Sequence, residues 1–154
     1  MTALVYFGEM LVASLIAVVL LVISPLEIGP AAAVFFGGVV SWTLAEYAVH
    51  RFVLHSLAPS AHRLHHANPD EAVLTIFWQI WICFVPVYFI AGGAFLAGAL
   101  VAYAWYLFVH HCAHHGPERL PSLLKHHRSH HQFATTNYGV GTTLWDHIFG
   151  TMLR

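Results

Sequence analysis

The sequence predicts an all-α integral membrane protein, with about four transmembrane helices and a helical, histidine-rich cap on the cytoplasmic side. Three observations predict it. Of 154 residues, 58% are hydrophobic and only 8% charged, against roughly a quarter in soluble domains. The uncharged residues come in runs, since 10–26, 28–45 and 74–109 hold no Asp, Glu, Lys, Arg or His. Finally, 13 of the 14 histidines gather in two blocks, 50–66 and 110–131, each following such a run.

A transmembrane helix takes about 20 mainly apolar residues. The first run predicts a helix over 3–24, closed by Ser24-Pro25, and the second a helix over 30–50. The third run is 36 residues long, which predicts two short helices, 73–90 and 94–111, joined at Ala91-Gly92-Gly93. No Lys or Arg precedes the first run and no small-x-small site follows Ile23, so the first helix is expected to be retained rather than cleaved. All six basic residues (Arg51, Arg63, Arg119, Lys125, Arg128, Arg154) lie in or beyond the histidine blocks, whereas the loop 24–30 has none. Excess positive charge marks the cytoplasmic side, and four spans then place both blocks and both termini there. At this length a single membrane-embedded domain over 1–154 is the natural reading.

Other classes find little support. Cys83 lies inside a predicted span and Cys112 among histidines, which is no disulfide framework. A net charge of −1 leaves no nucleic-acid footprint. Phosphate-cradling glycine loops are also missing from the sequence.

The histidines carry the chemistry. Residues three and four apart share a helical face, so the triplets His62/His65/His66 and His127/His130/His131 can each aim three imidazoles at one point. His110 and His114 also face one way. His50 and His55 are five apart, roughly 140° around an ideal helix, so each serves a different metal or the helix unwinds between them. His111/His115 and His126/His130 offer competing four-spaced pairs. Ten histidines exceed the four ligands of a structural zinc site. Shared by two ions they average five each and leave open positions for water, oxygen or substrate. Imidazole suits zinc, copper, iron and nickel, and an oxidative role points to iron, because zinc has no redox chemistry. Two non-enzymatic alternatives exist. A metal-sequestering tract would space its histidines irregularly on a tail, and a membrane metal transporter would hold them near mid-bilayer on broken helices.

Taken in order, the four boxes read His-x4-His, His-x2-His-His, His-x3-His and His-x2-His-His. With a closing segment 137–151 in which Trp145-Asp146 precedes Phe149-Gly150-Thr151, residues 46–151 resemble the fatty acid hydroxylase/sterol desaturase superfamily of membrane-bound histidine-box oxygenases. The resemblance implies two iron ions held by His50, His55, His62, His65, His66, His110, His114, His127, His130 and His131, with zinc as an occupant of isolated protein. It implies O2 as co-substrate and hydroxylation or desaturation of an unactivated C–H bond. The substrate would be a lipid entering from the bilayer, whether fatty acyl, sterol-like or hopanoid-like, with a carotenoid as the alternative. Electrons would come from an external ferredoxin- or cytochrome-type donor, because the chain shows no flavin, haem or iron–sulfur motif. The box order favours His110/His114 over His111/His115 and His127 over His126, and it leaves His147 out. Only six residues separate His55 from His62, so any lid there is reduced. Glu46, one turn before His50, is expected either to accept that ligand's outer ring N–H or to pair with Arg51. Asp146 is expected to orient a ligand or to cap local structure. Seven acidic residues in all cannot supply the carboxylate-rich cage of soluble di-iron bundles.

Overall fold

The computed structural model describes residues 3–57, 59–69, 77–116 and 122–153. Among them every regular element is a helix. These are α1 (Ala3–Val22), α2 (Ile28–Ala48) running directly into a π-helix (Val49–Leu57), α3 (Pro59–Ala67), α4 (Phe77–Ala91), α5 (Gly93–His115), α6 (Ser122–Gln132) and α7 (Leu144–Ile148). Among the described residues, three stretches are long and apolar enough to cross a membrane: Leu4–Val22, Ile28–Leu57 and Gly93–His115. The third expected span is the exception. Helix α4 is described over 15 residues, and positions 73–76 of the expected span lie outside the described residues. The 117–121 connection does too.

The chain divides into two compact units, Met1–Trp42 with Leu74–Trp105, and Thr43–Val73 with Tyr106–Arg154. The first is built from α1, most of α2, α4 and the first half of α5. Its interior is made of small side chains and a few large ones, with Ala13, Ala17, Ala97, Leu100 and Tyr103 buried, while Leu11, Phe36, Ile82 and Phe89 are exposed. Hydrocarbon tails are as apolar as leucine, so nothing drives large side chains inward, and small residues that let backbones approach hold the helices together. Gly38 and Gly98 serve this end reciprocally. A Cβ on Gly38 would run into the Phe95 carbonyl oxygen, and one on Gly98 into the Phe35 carbonyl oxygen. Helices α2 and α5 therefore touch backbone to backbone. The turn between α4 and α5 falls where expected, because Gly92 takes φ +82° and its N–H reaches the Tyr88 carbonyl at 2.9 Å, a left-handed helix stop open to glycine. The Glu9 carboxylate accepts the Trp81 indole N–H and the Tyr103 hydroxyl, tying α1 to α4 and α5.

The second unit holds the end of α2, the π-helix, α3, the end of α5, α6, the 133–143 loop and α7. Its most deeply buried side chains are Tyr47, Leu107, Val109, His127, His130, Val140 and Asp146. Three of the seven are polar or charged. Buried polar side chains cost several kcal/mol unless bonded, so such a core must have a bonding scheme.

Candidate metal centre

The site begins with the π-helix. Its i→i+5 hydrogen bonding stacks residues five apart, and His50 and His55 accordingly lie with ring centroids 5.1 Å apart. Of the two outcomes the spacing allowed, unwinding is the one adopted.

The ten box histidines converge in two groups of five, His50/His55/His62/His66/His130 and His65/His110/His114/His127/His131, with one nitrogen of each within 4.8 Å of the others in its group. This corrects the expectation that each triplet aims at one point. Adjacent residues diverge by about 100° on an α-helix, so His65 and His66 cannot meet at one place. Helix α3 sends His62 and His66 to the first group and His65 to the second, while α6 sends His127 and His131 to the second and His130 to the first. The two triplets are complementary and interleave.

In the first group His62 Nε2 lies 2.9 Å from His50 Nε2, 3.0 Å from His55 Nε2 and 3.1 Å from His66 Nε2, and His55 Nε2 lies 3.0 Å from His130 Nε2. In the second, His110 and His65 are 3.0 Å apart at Nε2, His127 and His114 3.3 Å, and His131 and His127 3.2 Å. The outer nitrogens decide what such contacts mean. His50 Nδ1 sits 2.5 Å from the Tyr138 carbonyl oxygen and His130 Nδ1 2.6 Å from that of Thr136. A carbonyl only accepts, so both Nδ1 atoms carry the proton and both Nε2 atoms present bare lone pairs inward. Facing lone pairs at this distance repel unless a cation lies among them. Imidazole–metal bonds of about 2.1 Å at right angles put ligand nitrogens about 3.0 Å apart. The donor set therefore fits a pair of imidazole-loving metal ions.

Burial keeps these rings neutral. It pushes His62 and His131 down to about 2, His130 to about 3 and His66 to about 4, with neighbouring imidazoles adding to the shift, and it holds His127 well below the usual value. Neutral imidazole is the form that ligates metal. Buried Nδ1 atoms of His62, His127 and His131 have no hydrogen-bond partner.

Around the first group runs a frame made by the closing segment. Asp146, fully buried, accepts the Tyr138 N–H at Oδ1 and the Gly139 N–H at Oδ2, both at 2.8 Å. Glu46 Oε1 accepts the next two amides, Val140 at 2.7 Å and Gly141 at 2.8 Å. Two carboxylates thus pin four consecutive backbone N–H groups, and the Tyr138 carbonyl that receives His50 belongs to the pinned stretch. Glu46 therefore reaches the loop rather than the His50 ring, and Arg51 pairs not with it but with Tyr47, whose hydroxyl accepts at 2.8 Å. Thr151 donates to Asp146 Oδ1 at 2.6 Å, and Tyr47 contacts Thr151 at 3.0 Å, so the donation runs Arg51 to Tyr47 to Thr151 to Asp146. Burial alone would raise the Asp146 carboxyl, but hydrogen bonds from His126, Thr151, Gly139 and Tyr138 outweigh it and hold it below the ordinary carboxylate value.

The competing histidines separate from the groups. His126 Nε2 donates to Asp146 Oδ2 at 2.9 Å, so that nitrogen offers no lone pair. His111 and His115 pair with each other, ring centroids 4.7 Å apart, outside both groups. His147 is exposed, with Nδ1 on the Thr143 carbonyl of its own turn. Cys83 and Cys112 are free thiols. Sequence reasoning missed Thr136 and Tyr138 as anchors, because backbone carbonyls leave no compositional trace. The one available signal was Asn137-Tyr138-Gly139, where Asn137 takes φ +57° and a Cβ on Gly139 would strike the Thr142 carbonyl.

Residues 34–151 match the fatty acid hydroxylase family. The chain is similar to the dihydroceramide fatty acyl 2-hydroxylase FAH2 of Arabidopsis thaliana, 32% identical over 75% of this chain and 58% of that one. It is also similar to the fatty acid 2-hydroxylase of Homo sapiens, 32% identical over 77% of this chain and 39% of that one. Among solved structures, the hydroxylase domain of full-length scs7p superposes with a TM-score of 0.75 at 28% identity, covering 96% of this chain and 65% of that one. The chain thus spans between 39% and 58% of the length of those two curated relatives. With its histidine boxes in order and its framed tail matched end to end, the chain belongs to the fatty acid hydroxylase family.

Proposed function

We propose that this chain is a single membrane-embedded oxygenase domain that hydroxylates a fatty acyl chain of a membrane lipid, using two iron ions and O2. The observation that carries the reading is the convergence of ten neutral imidazoles into two groups of five, in a family whose named relatives hydroxylate fatty acyl chains at carbon 2. When bound, a pair of irons supplies the redox chemistry that puts one atom of O2 into an unactivated C–H bond and releases the other as water, using two electrons and two protons from outside the chain. The protein's own contribution is positional and electrostatic. The Tyr138 and Thr136 carbonyls hold the Nδ1 protons of His50 and His130, so both rings present Nε2. Burial keeps His62, His66, His130 and His131 unprotonated at neutral pH. Every ligand is neutral, so the charge of the ions stays undiminished, unlike in a carboxylate cage. His50 and His55, held on the π-helix, and His110 and His114, on α5, present their nitrogens from segments that continue apolar helices, the setting in which a lipid chain would approach. Electrons come from a separate ferredoxin- or cytochrome-type protein, and the positive-inside pattern puts the site on the cytoplasmic side.

The test is a comparison of lipid extracts from cells with and without the gene, alongside metal analysis of protein made in iron-replete cells. The expected result is about two irons per chain and a lipid gaining one oxygen at carbon 2 of its acyl chain. A lipid losing two hydrogens instead would make the enzyme a desaturase, and a shifted carotenoid would move the substrate class. A protein holding only zinc, with no lipid changed, would overturn the proposal in favour of metal transport or storage.

A further inference from the structure

The closing segment does not treat the two histidine groups alike. Its two carbonyl anchors, Thr136 and Tyr138, take His130 and His50, both of the first group. The Tyr138 ring packs on His50, His55 and His130, at centroid distances of 5.9, 5.4 and 5.4 Å, again all of the first group. Within α6 the contrast is direct. His130 has its outer nitrogen anchored, whereas His127 and His131, which face the second group, have buried Nδ1 atoms without partners.

A carbonyl on the outer nitrogen fixes the ring's tautomer and rotation before any metal arrives, and losing such an outer partner typically costs ~10–100-fold in metal affinity. Glu46 and Asp146 hold the backbone that bears the Tyr138 anchor, and Asn137 holds the other end, with Leu153 N–H on its Oδ1 at 2.8 Å and its own N–H on the Thr151 carbonyl at 2.8 Å.

We propose that segment 136–151, clamped by Glu46 and Asp146, anchors the His50/His55/His62/His66/His130 site through its carbonyls, so that loosening the clamp empties this site and leaves the other filled, although α3 and α6 feed both. The inference rests on the metal-binding reading above and makes Glu46 and Asp146 positioning residues. Their acceptor geometry sets them apart. Both amides on Glu46 go to one oxygen, Oε1, which a glutamine carbonyl can replace. Asp146 uses both oxygens as acceptors, Oδ1 for Tyr138 and Thr151 and Oδ2 for Gly139 and His126. An asparagine NH2 must then face donors.

The experiment measures tightly bound metal per purified chain after iron or zinc loading. Wild type and Glu46→Gln are expected to hold two ions, and Glu46→Leu and Asp146→Asn one. Adding His130→Ala to Asp146→Asn should remove nothing more, whereas adding His127→Ala should remove the remaining ion. Thr151→Val, a milder change, should weaken one of two binding steps by ~10-fold and leave the other unmoved. A wild type holding fewer than two ions would sink the proposed function and this inference with it. A wild type holding two, with Asp146→Asn and Glu46→Leu both holding two or both holding none, would overturn the inference alone. So would a Glu46→Gln protein that behaves like Glu46→Leu.

Discussion

His126 donates from Nε2 to Asp146 Oδ2 across 2.9 Å, while its neighbour His127 turns inward to the second histidine group. One step along α6 separates a frame residue from a candidate ligand. His127→Ala should therefore abolish lipid product and lower bound metal. His126→Ala should retain bound metal but cost about 1–3 kcal/mol of stability, the usual penalty for stripping a partner from a buried charged group. Metal analysis and thermal melting of the two variants side by side check this. Equal metal loss in both would contradict the assignment.

His147 provides the opposite control. It is exposed, and its Nδ1 is engaged within its own helical turn. His147→Ala should change stability by no more than ~0.5 kcal/mol and leave product yield near wild type, while His65→Ala should give none. Comparable damage from the two would overturn the assignment that leaves His147 out of the ligand set.

In the first unit, Gly98→Ala and Gly38→Ala press a methyl group against a backbone carbonyl that cannot swing away. Overpacking of this kind costs about 1–3 kcal/mol. Both variants should melt earlier in detergent, and the fraction that remains folded should keep its full metal content. Unchanged melting would mean that the α2–α5 contact is looser than described.

Without metal, the histidine cluster should make stability depend on pH. In the metal-free fold His62, His66, His130 and His131 are held down to between about 2 and about 4, whereas an unfolded chain protonates histidine near 6.5. Below that value the unfolded state binds more protons, so stability falls as pH drops from about 6.5 and is flat above it as far as these groups are concerned. Chelator-treated protein should melt at a lower temperature at pH 5 than at pH 7.5. Equal melting at the two values would mean the rings are not buried as a cluster.

Much of this was legible in the residues. The uncharged runs marked α1, α2 and α5, and Gly92 announced its own turn because few other residues accept its φ. Ordered spacing picked out the ten histidines that converge, and it did so without distinguishing which of the two groups each would join. The interleaving was hidden because a shared helical face is a coarse idea. His62, His65 and His66 do share one, yet 100° between the last two is enough to send them apart. Five-residue spacing at His50 and His55 left open either separate metals or an unwound helix, and the local pattern did not choose between them. Glu46 was legible as an acid one turn from His50, set either on that ring or on Arg51, but its target lies 94 residues away at Val140, a pairing no local pattern encodes. Helix α4 follows the expected third span over 77–90, and the start of that span at 73–76 lies outside the described residues.

Because α3 and α6 each feed both histidine groups, neither short helix can slide or rotate to suit one group without disturbing the other. The gap between the groups is thereby tied to helical rise, about 1.5 Å per residue, and works as a ruler cut into the backbone. A residue inserted or deleted between the histidines of either helix would turn those beyond it by about 100° and send them to the wrong group.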